Sequence, residues 1–450
     1  MSVIAHPSAS PPLAQARRRL LGGVVGTFVE WYDFLIYGLS APVLAAHFFP
    51  ESNPTAALLG TFAIYAIAFF VRPLGGVFFG YLGDRTGRIN ILAATVLLMG
   101  AATLATGLLP TYGSIGVWAA LLLLLCRLAQ GFSAGGETSG GLSYVLESAP
   151  SDRRGHWIGI AVASSFLPVV LGAFLILGLR TAFGDAAYDE WAWRIPFLFG
   201  GLLAVVGLWL RRKLDDPEEY VEAVHTEQVH NPIRTAARAN WRAIVLVVFL
   251  VAVQAVGAYL INGYLYSYLT TTIGMAATPA LFTNAAAVLT ITVLLPVFGA
   301  VADRVGRRKV MFGGAALLAA TAYPALQIVA TGTVIGALLG QLLLAVAVAL
   351  FASGGFVTML ELFQTTVRFT GHAIAYNLGY AIFGGTTPLI ASSLVNATGS
   401  TMAPAFYVAA ISVLGLAVVV FTPETRHVVL RTGAEPTVRG NAPVSTEVPT

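Results

Sequence analysis

Five ionisable side chains fall inside long apolar runs: Glu30, Asp33, Arg72, Arg127 and Glu137. A charge near the middle of a bilayer costs at least about 2.5–3.5 kcal/mol, so each needs a partner or a wet cavity. Glu30 and Asp33 stand three residues apart and share one face of a helix. Two carboxylates that close in a low dielectric repel, which favours a proton on one of them. That is the chemistry of a proton carrier. Arginine stays cationic, so Arg72 and Arg127 can hold such a carboxylate ionised, or hold an anionic substrate in its place. In the expected cycle a proton on Asp33 frees Arg127 for a substrate carboxylate, and the pair re-forms when substrate leaves. Static ion pairs tying the first, second and fourth apolar segments together are the alternative. The candidate proton-coupling set is Asp33, Glu30, Glu137 and Arg127; Arg72, Arg127 and Gln130 are candidate substrate ligands.

The second half of the chain carries fewer such groups. Tyr376 and Asn377 lie deep in the eleventh apolar segment and join the substrate-ligand set, while Gln254 and Asn262 lie in the seventh. Buried amides demand partners; substrate is one, a neighbouring helix an equally good one. His372 follows Arg368 by one short turn, and an imidazole titrating near about 6.5 could gate with a proton, though packing is its commoner use. Tyr259, Tyr264, Tyr266 and Tyr268 read as packing and an interfacial belt.

The elements that must position these residues are membrane helices. Of 450 residues, 57% are hydrophobic and 10% charged, against about 25% charged in soluble proteins. Apolar runs of about 20 residues, the length that spans a bilayer as helix, recur throughout. The expected spans are 20–47, 55–82, 89–109, 114–148, 154–182 and 191–212, then 242–271, 278–302, 308–329, 333–363, 368–396 and 402–421. The polar connection 213–241 divides them six and six and reads as a solvated linker. Residues 1–19 form a basic tail; Glu30 and Asp33 interrupt the apolar run that follows, so the reading is an uncleaved first helix rather than a signal peptide. The segment 422–450 lacks periodicity and is expected to be disordered. Cys126, the only cysteine, lies inside an apolar run, which excludes an internal disulfide and points to packing.

Lys and Arg cluster in alternate loops, from Arg17–Arg19 through Arg153, Arg154, Arg304 and Arg307–Lys309 to Arg368, and the intervening loops carry essentially none. By the positive-inside rule both termini are cytoplasmic. No P-loop offers ATP as an energy source, no Cys/His cluster has metal spacing, and no Ser/His/Asp set has catalytic context. No enzyme activity, cofactor, metal or nucleic-acid partner is expected; the partners are a small-molecule substrate, protons and membrane lipids.

A polar pattern, G-x3-D-R-x-G-R, occurs twice, at Gly80–Arg88 and from Gly299 through Asp303, Arg304 and Gly306 to Arg307, 219 residues apart. A second echo, Glu147 with Arg154 and Glu361 with Arg368, repeats at 214 residues. Repetition at half-chain length indicates a duplicated architecture, and paired halves around a central site mark secondary transporters. With Glu30-Trp31-Tyr32-Asp33-Phe34, Arg72-Pro73-Leu74-Gly75-Gly76, Arg127 through Glu137, Trp193-Arg194-Ile195-Pro196-Phe197, Tyr376-Asn377 and Phe383-Gly384-Gly385, the chain resembles the metabolite:proton symporters of the major facilitator superfamily. That resemblance covers about residues 20–421. It departs at Thr27 and Gln364, where the family commonly has Asn and Pro, and the first departure leaves the substrate open.

The resemblance implies an all-α polytopic protein of twelve transmembrane helices in two six-helix bundles related by internal repeat, monomeric, in a bacterial inner membrane. It implies proton-driven import of a small metabolite by alternating access. Two intramembrane arginines favour citrate-like or dicarboxylate substrates; a proline/betaine osmolyte porter is the alternative, and a drug:proton antiporter is third, since Ser164–Gly172 lacks the exporters' glycine–proline run. The tail 422–450 has no heptads, which argues against osmosensing more than against zwitterion transport. Gly135-Gly136, Gly140-Gly141 and Gly354-Gly355 permit close helix contact. The expected gate comprises Asp84, Arg85, Arg88, Asp303, Arg304, Arg307, Glu147, Arg154, Glu361 and Arg368. There Asp84 accepts from a helix N-terminus or pairs with Arg154, and Asp303 does the same opposite Arg368; topology alone is the competing role.

Overall fold

The computed structural model describes residues 13–50, 53–86, 88–211, 240–363 and 365–428. Side chains are described within these except at 13–27, 77, 80–92, 136–137, 140, 144, 147–148, 169, 210–211, 365–367 and 369–370. The first half holds α1 (Leu13–Phe48), α2 (Pro54–Thr86), α3 (Arg88–Leu108), α4, α5 (Arg154–Phe183) and α6 (Arg194–Arg211). Helix α4 runs Trp118–Ser133, tightens into a 3-10 turn at Ala134–Gly136 and resumes at Glu137–Ser148. The second half holds α7 (Trp241–Thr272), α8 (Ala277–Val305), α9 (Arg307–Val329), α10 (Val334–Glu361), α11 and α12 (Ala403–Phe421). Helix α11 runs Thr365–Gly379, then a π turn at Tyr380–Gly384, then Thr387–Thr398. Among the described residues eight helices are long and apolar enough to cross a membrane, nine if the bent pair Asp185–Ala192 and Arg194–Trp209 is one span. No strand occurs among them.

Among the described residues the helices stand close to the twelve expected spans, with three differences. The turn signals at Asp185–Glu190 are wound into a short helix and a π turn, Tyr188–Ala192, because Arg180 binds Asp185 and Asp189 at 2.7 and 2.6 Å and pulls the segment over the end of α5. Arg180, like Arg194 whose guanidinium lies 4.4 Å over Trp193, stands at the end of the molecule expected to lack cations; the asymmetry is in the loops, not in every helix end. Thirdly, Thr422–Val428 is packed rather than free, while 429–450 and most of the connection 213–241 lie outside the described residues.

The halves meet along paired helices, and the most extensive helix–helix contact joins α5 to α8. That contact is backbone on backbone: a Cβ on Gly155 would lie 2.4 Å from Gly299 O, and one on Gly299 2.3 Å from Gly155 O. Glycine removes the side chain that would hold the helices apart. Within the first half the same device seats α2 on α4. A Cβ on Gly75 would fall 1.7 Å from Phe132 O, and one on Gly135 2.1 Å from Arg72 O. Arg72 is thus fixed by backbone contact immediately beside the 3-10 turn of α4.

Candidate functional site

Glu30, Asp33, Arg72 and Arg127 are all buried, each at 3% exposure or less, and they form two separate ion pairs. Asp33 Oδ2 lies 3.0 Å from Arg127 Nη1. Its Oδ1 accepts from Gln130 Nε2 and lies against Thr103 Oγ1, both at 2.6 Å, and Gln130 Oε1 accepts from Arg127 Nη1 at 2.9 Å. This cluster belongs wholly to α1, α3 and α4. The Arg127 guanidinium carbon also lies 4.4 Å from the Tyr37 ring centroid and 4.7 Å from that of Phe34, so its remaining charge faces aromatic π-surface.

Glu30 pairs with Arg72 of α2, and Thr138 Oγ1 of α4 lies 3.2 Å from Glu30 Oε2. Phe34 sits between the two guanidiniums, 5.1 Å from that of Arg72. The shared helical face of Glu30 and Asp33 therefore presents them to different arginines, and the four charges sum to zero.

Around Arg72 the two halves supply a box of aromatic rings. Phe34 and Phe69 stand with centroids 4.8 Å apart, Phe69 and Tyr259 5.5 Å, Tyr259 and Tyr380 5.8 Å, Tyr376 and Tyr380 4.4 Å, and Trp31 and Tyr380 6.3 Å. Tyr259 immediately precedes the π turn Leu260–Tyr264 and Tyr380 opens the π turn Tyr380–Gly384; such single-turn bulges are frequent at functional sites. Tyr259 and Tyr380 were not among the expected ligands, and the tyrosines of α7 do not form one belt. The available signal was spacing: Tyr65 and Phe69, and Tyr376 and Tyr380, are i, i+4 pairs, and Arg72 follows Phe69 by one turn.

The other expected ligands divide. Tyr376 lines the box. Arg127 and Gln130 are spent on Asp33. Asn377 instead donates from Nδ2 to Gly135 O at 3.1 Å, and His372 Nδ1 lies 3.2 Å from Ser139 Oγ, both contacts crossing from α11 to α4. His372 also stacks on Tyr376, centroids 5.1 Å apart. Asn262 lies in the π turn of α7, and the side chain of Glu137 lies outside the described residues.

At the basic end a second network joins the halves. Asp303 Oδ1 and Oδ2 accept from the backbone N–H groups of Gly155 and His156 at 2.8 and 2.9 Å, so a carboxylate of α8 caps the positive end of the α5 dipole. Its ion-pair partner is Arg307, at 2.9 Å, and not Arg368, which donates to Leu360 O and Phe363 O. The reason is register: Arg307 is four residues on from Asp303, within reach of it and of Glu361 at 3.4 Å. Glu361 also faces Arg154 at 3.7 Å and accepts from Thr425 Oγ1 at 2.6 Å, and Arg154 Nη1 donates to Val428 O at 2.9 Å. Arg304 lines a cleft of about 910 Å³ beside this network. The side chains of Asp84, Arg85, Arg88 and Glu147, expected in the gate, lie outside those described.

The model of the Major Facilitator Superfamily matches residues 23–293 and 247–446. The chain belongs to the major facilitator superfamily. Among relatives in that superfamily, the proline/betaine transporter of Salmonella typhimurium (strain LT2) is 34% identical over 436 residues, covering 93% of this chain and 86% of the relative. A putative proline/betaine transporter of Staphylococcus aureus (strain MSSA476) is 35% identical over 426 residues, covering 90% and 88%. The glycine betaine/proline/ectoine/pipecolic acid transporter OusA of Dickeya dadantii is 33% identical over 435 residues, covering 93% and 85%. The partially occluded inward-open xylose transporter XylE of Escherichia coli superposes with a TM-score of 0.72 at 18% identity, covering 93% of this chain and 100% of that one. The chain is accordingly a multi-pass membrane transporter of this superfamily. Its relatives do not support the citrate-like or dicarboxylate reading, and they do support the proline/betaine alternative.

Proposed function

We propose that the chain imports small zwitterionic osmolytes of the proline/betaine class across a bacterial inner membrane, driven by protons. The observation that carries this is the Glu30–Arg72 pair enclosed by aromatic rings from both halves. A zwitterion can replace that pair charge for charge: its carboxylate takes Arg72, and its ammonium takes Glu30 and the ring faces, which bind alkylated ammonium groups well. A di- or tricarboxylate cannot, because it would leave Glu30 buried beside added negative charge. Arginines suggested anionic substrates only while their carboxylate partners were unassigned. The proton belongs to the other pair. Asp33 lies within one half, held by Arg127, Gln130 and Thr103, so it can change protonation without touching substrate directly.

Thermal stabilisation of the purified protein by glycine betaine, proline, citrate and succinate tests the substrate class. Betaine and proline should raise the melting temperature, since a ligand at about 100 times its Kd adds about 2.7 kcal/mol; stabilisation by citrate alone would overturn the reading.

In the same scheme the Asp303 network closes the cytoplasmic end, favouring the outward-facing state. Asp303→Asn weakens the cap on α5 and the Arg307 pair together, and the population should move toward inward-open with substrate affinity within about threefold of wild type. Spin-label distances between the cytoplasmic ends of α5 and α8 would read the shift. An unchanged distance distribution would show that the network does not gate.

A further inference from the structure

We infer that Gln254 is a specificity-determining residue, reading whether the ammonium group of the substrate carries an N–H. Gln254 lies in α7 at 2% exposure and donates from Nε2 to Tyr380 Oη at 2.9 Å. That bond holds the amide at the hydroxyl edge of a ring that stands 4.4 Å from Tyr376 and 5.8 Å from Tyr259. The other end of the amide, Oε1, is buried and makes no hydrogen bond. A buried carbonyl oxygen without a donor is a costly and uncommon state, and a donor arriving with the ligand would relieve it.

The same box holds other buried polar atoms without partners: Arg72 Nε and Trp31 Nε1, which can only donate, and the hydroxyls of Tyr259 and Tyr376, which can do either. Among these groups Gln254 Oε1 can only accept, and together they suit the two ends of an amino-acid zwitterion. The donors suit a carboxylate, and the Gln254 carbonyl suits the N–H of a primary or secondary ammonium. A quaternary ammonium can use the ring faces but has no proton to offer Gln254. The amide therefore favours proline-type over betaine-type ligands, while the rings accept both. This rests on the zwitterion reading above and adds a discrimination within it.

The ligand pair that isolates the effect is proline and N,N-dimethylproline, which share a ring and a carboxylate and differ in the N–H. Binding of both is measured on the full-length protein in detergent, for wild type, Gln254→Met and Tyr380→Phe. Gln254→Met removes the acceptor at nearly constant length; Tyr380→Phe keeps the ring but releases the amide. Gln254→Met should lower the affinity for proline at least about tenfold and leave that for dimethylproline within about threefold. Tyr380→Phe should shift the ratio in the same direction by a smaller factor. If both ligands weaken equally in whichever variant binds, or if the ratio stays at its wild-type value, the inference is wrong. Wild-type protein that binds neither ligand would instead sink the zwitterion reading itself.

Discussion

Arg72→Gln should abolish detectable binding of proline and betaine, an affinity loss of at least about 100-fold. Two effects combine. The substrate carboxylate loses its guanidinium, and Glu30 is left charged and buried without the partner that faces it from α2. Removing one member of a buried pair costs about 3–5 kcal/mol, so the single variant should also unfold at lower temperature. The double variant Glu30→Gln with Arg72→Gln separates these consequences, because it restores neutrality in the box. It should regain most of the melting temperature and none of the zwitterion binding. A double variant that binds betaine as wild type does would place the substrate elsewhere.

Asp33→Asn should eliminate uphill accumulation while leaving exchange of internal for external substrate. Asparagine fills the same space and still accepts from Gln130 and Thr103, which approach Asp33 Oδ1 at 2.6 Å. It has no proton to release and cannot neutralise Arg127, so the cluster is held in the arrangement of the protonated carboxylate. A pH difference of one unit is worth about tenfold per proton carried, and that factor should vanish in proteoliposomes with an imposed gradient. Counterflow in the absence of a gradient should continue at a comparable rate. Full accumulation by the variant would remove Asp33 from the coupling step. Uptake by the wild type that ignores a protonophore would remove protons from the cycle altogether.

These two variants act on pairs that look alike in sequence, and the contrast shows what could be read before folding. Composition and the length of the apolar runs sufficed for a helical membrane protein, since charge spread over 10% of residues cannot keep such a chain in water. The repeated glycine–aspartate–arginine pattern and the second echo sufficed for two related halves, since a duplication preserves spacing. The buried charges were legible individually, because an ionisable residue in an apolar run is conspicuous by its cost. Their pairing was not. Glu30 and Asp33 lie on one helical face, yet one pairs with Arg72 of α2 and the other with Arg127 of α4, and helical period does not encode that choice.

The Asp303 network followed the same division. Asp303 was identifiable as a carboxylate next to a helix N-terminus, and it caps one, but the expectation that it stands opposite Arg368 failed against the closer Arg307. Tertiary structure alone decided the aromatic box. Tyr259 and Tyr380 stand 121 positions apart, one beside a π turn and the other opening one, and Tyr259 meets Phe69 and Tyr380 meets Trp31 only because the two halves close face to face. The amino-acid sequence by itself determined the solvent, the segments and the inventory of charges, since these depend on side-chain transfer energies and local spacing. Which arginine faces which carboxylate, and which rings surround them, are matters of inter-helix packing, and only the assembled bundle fixes them.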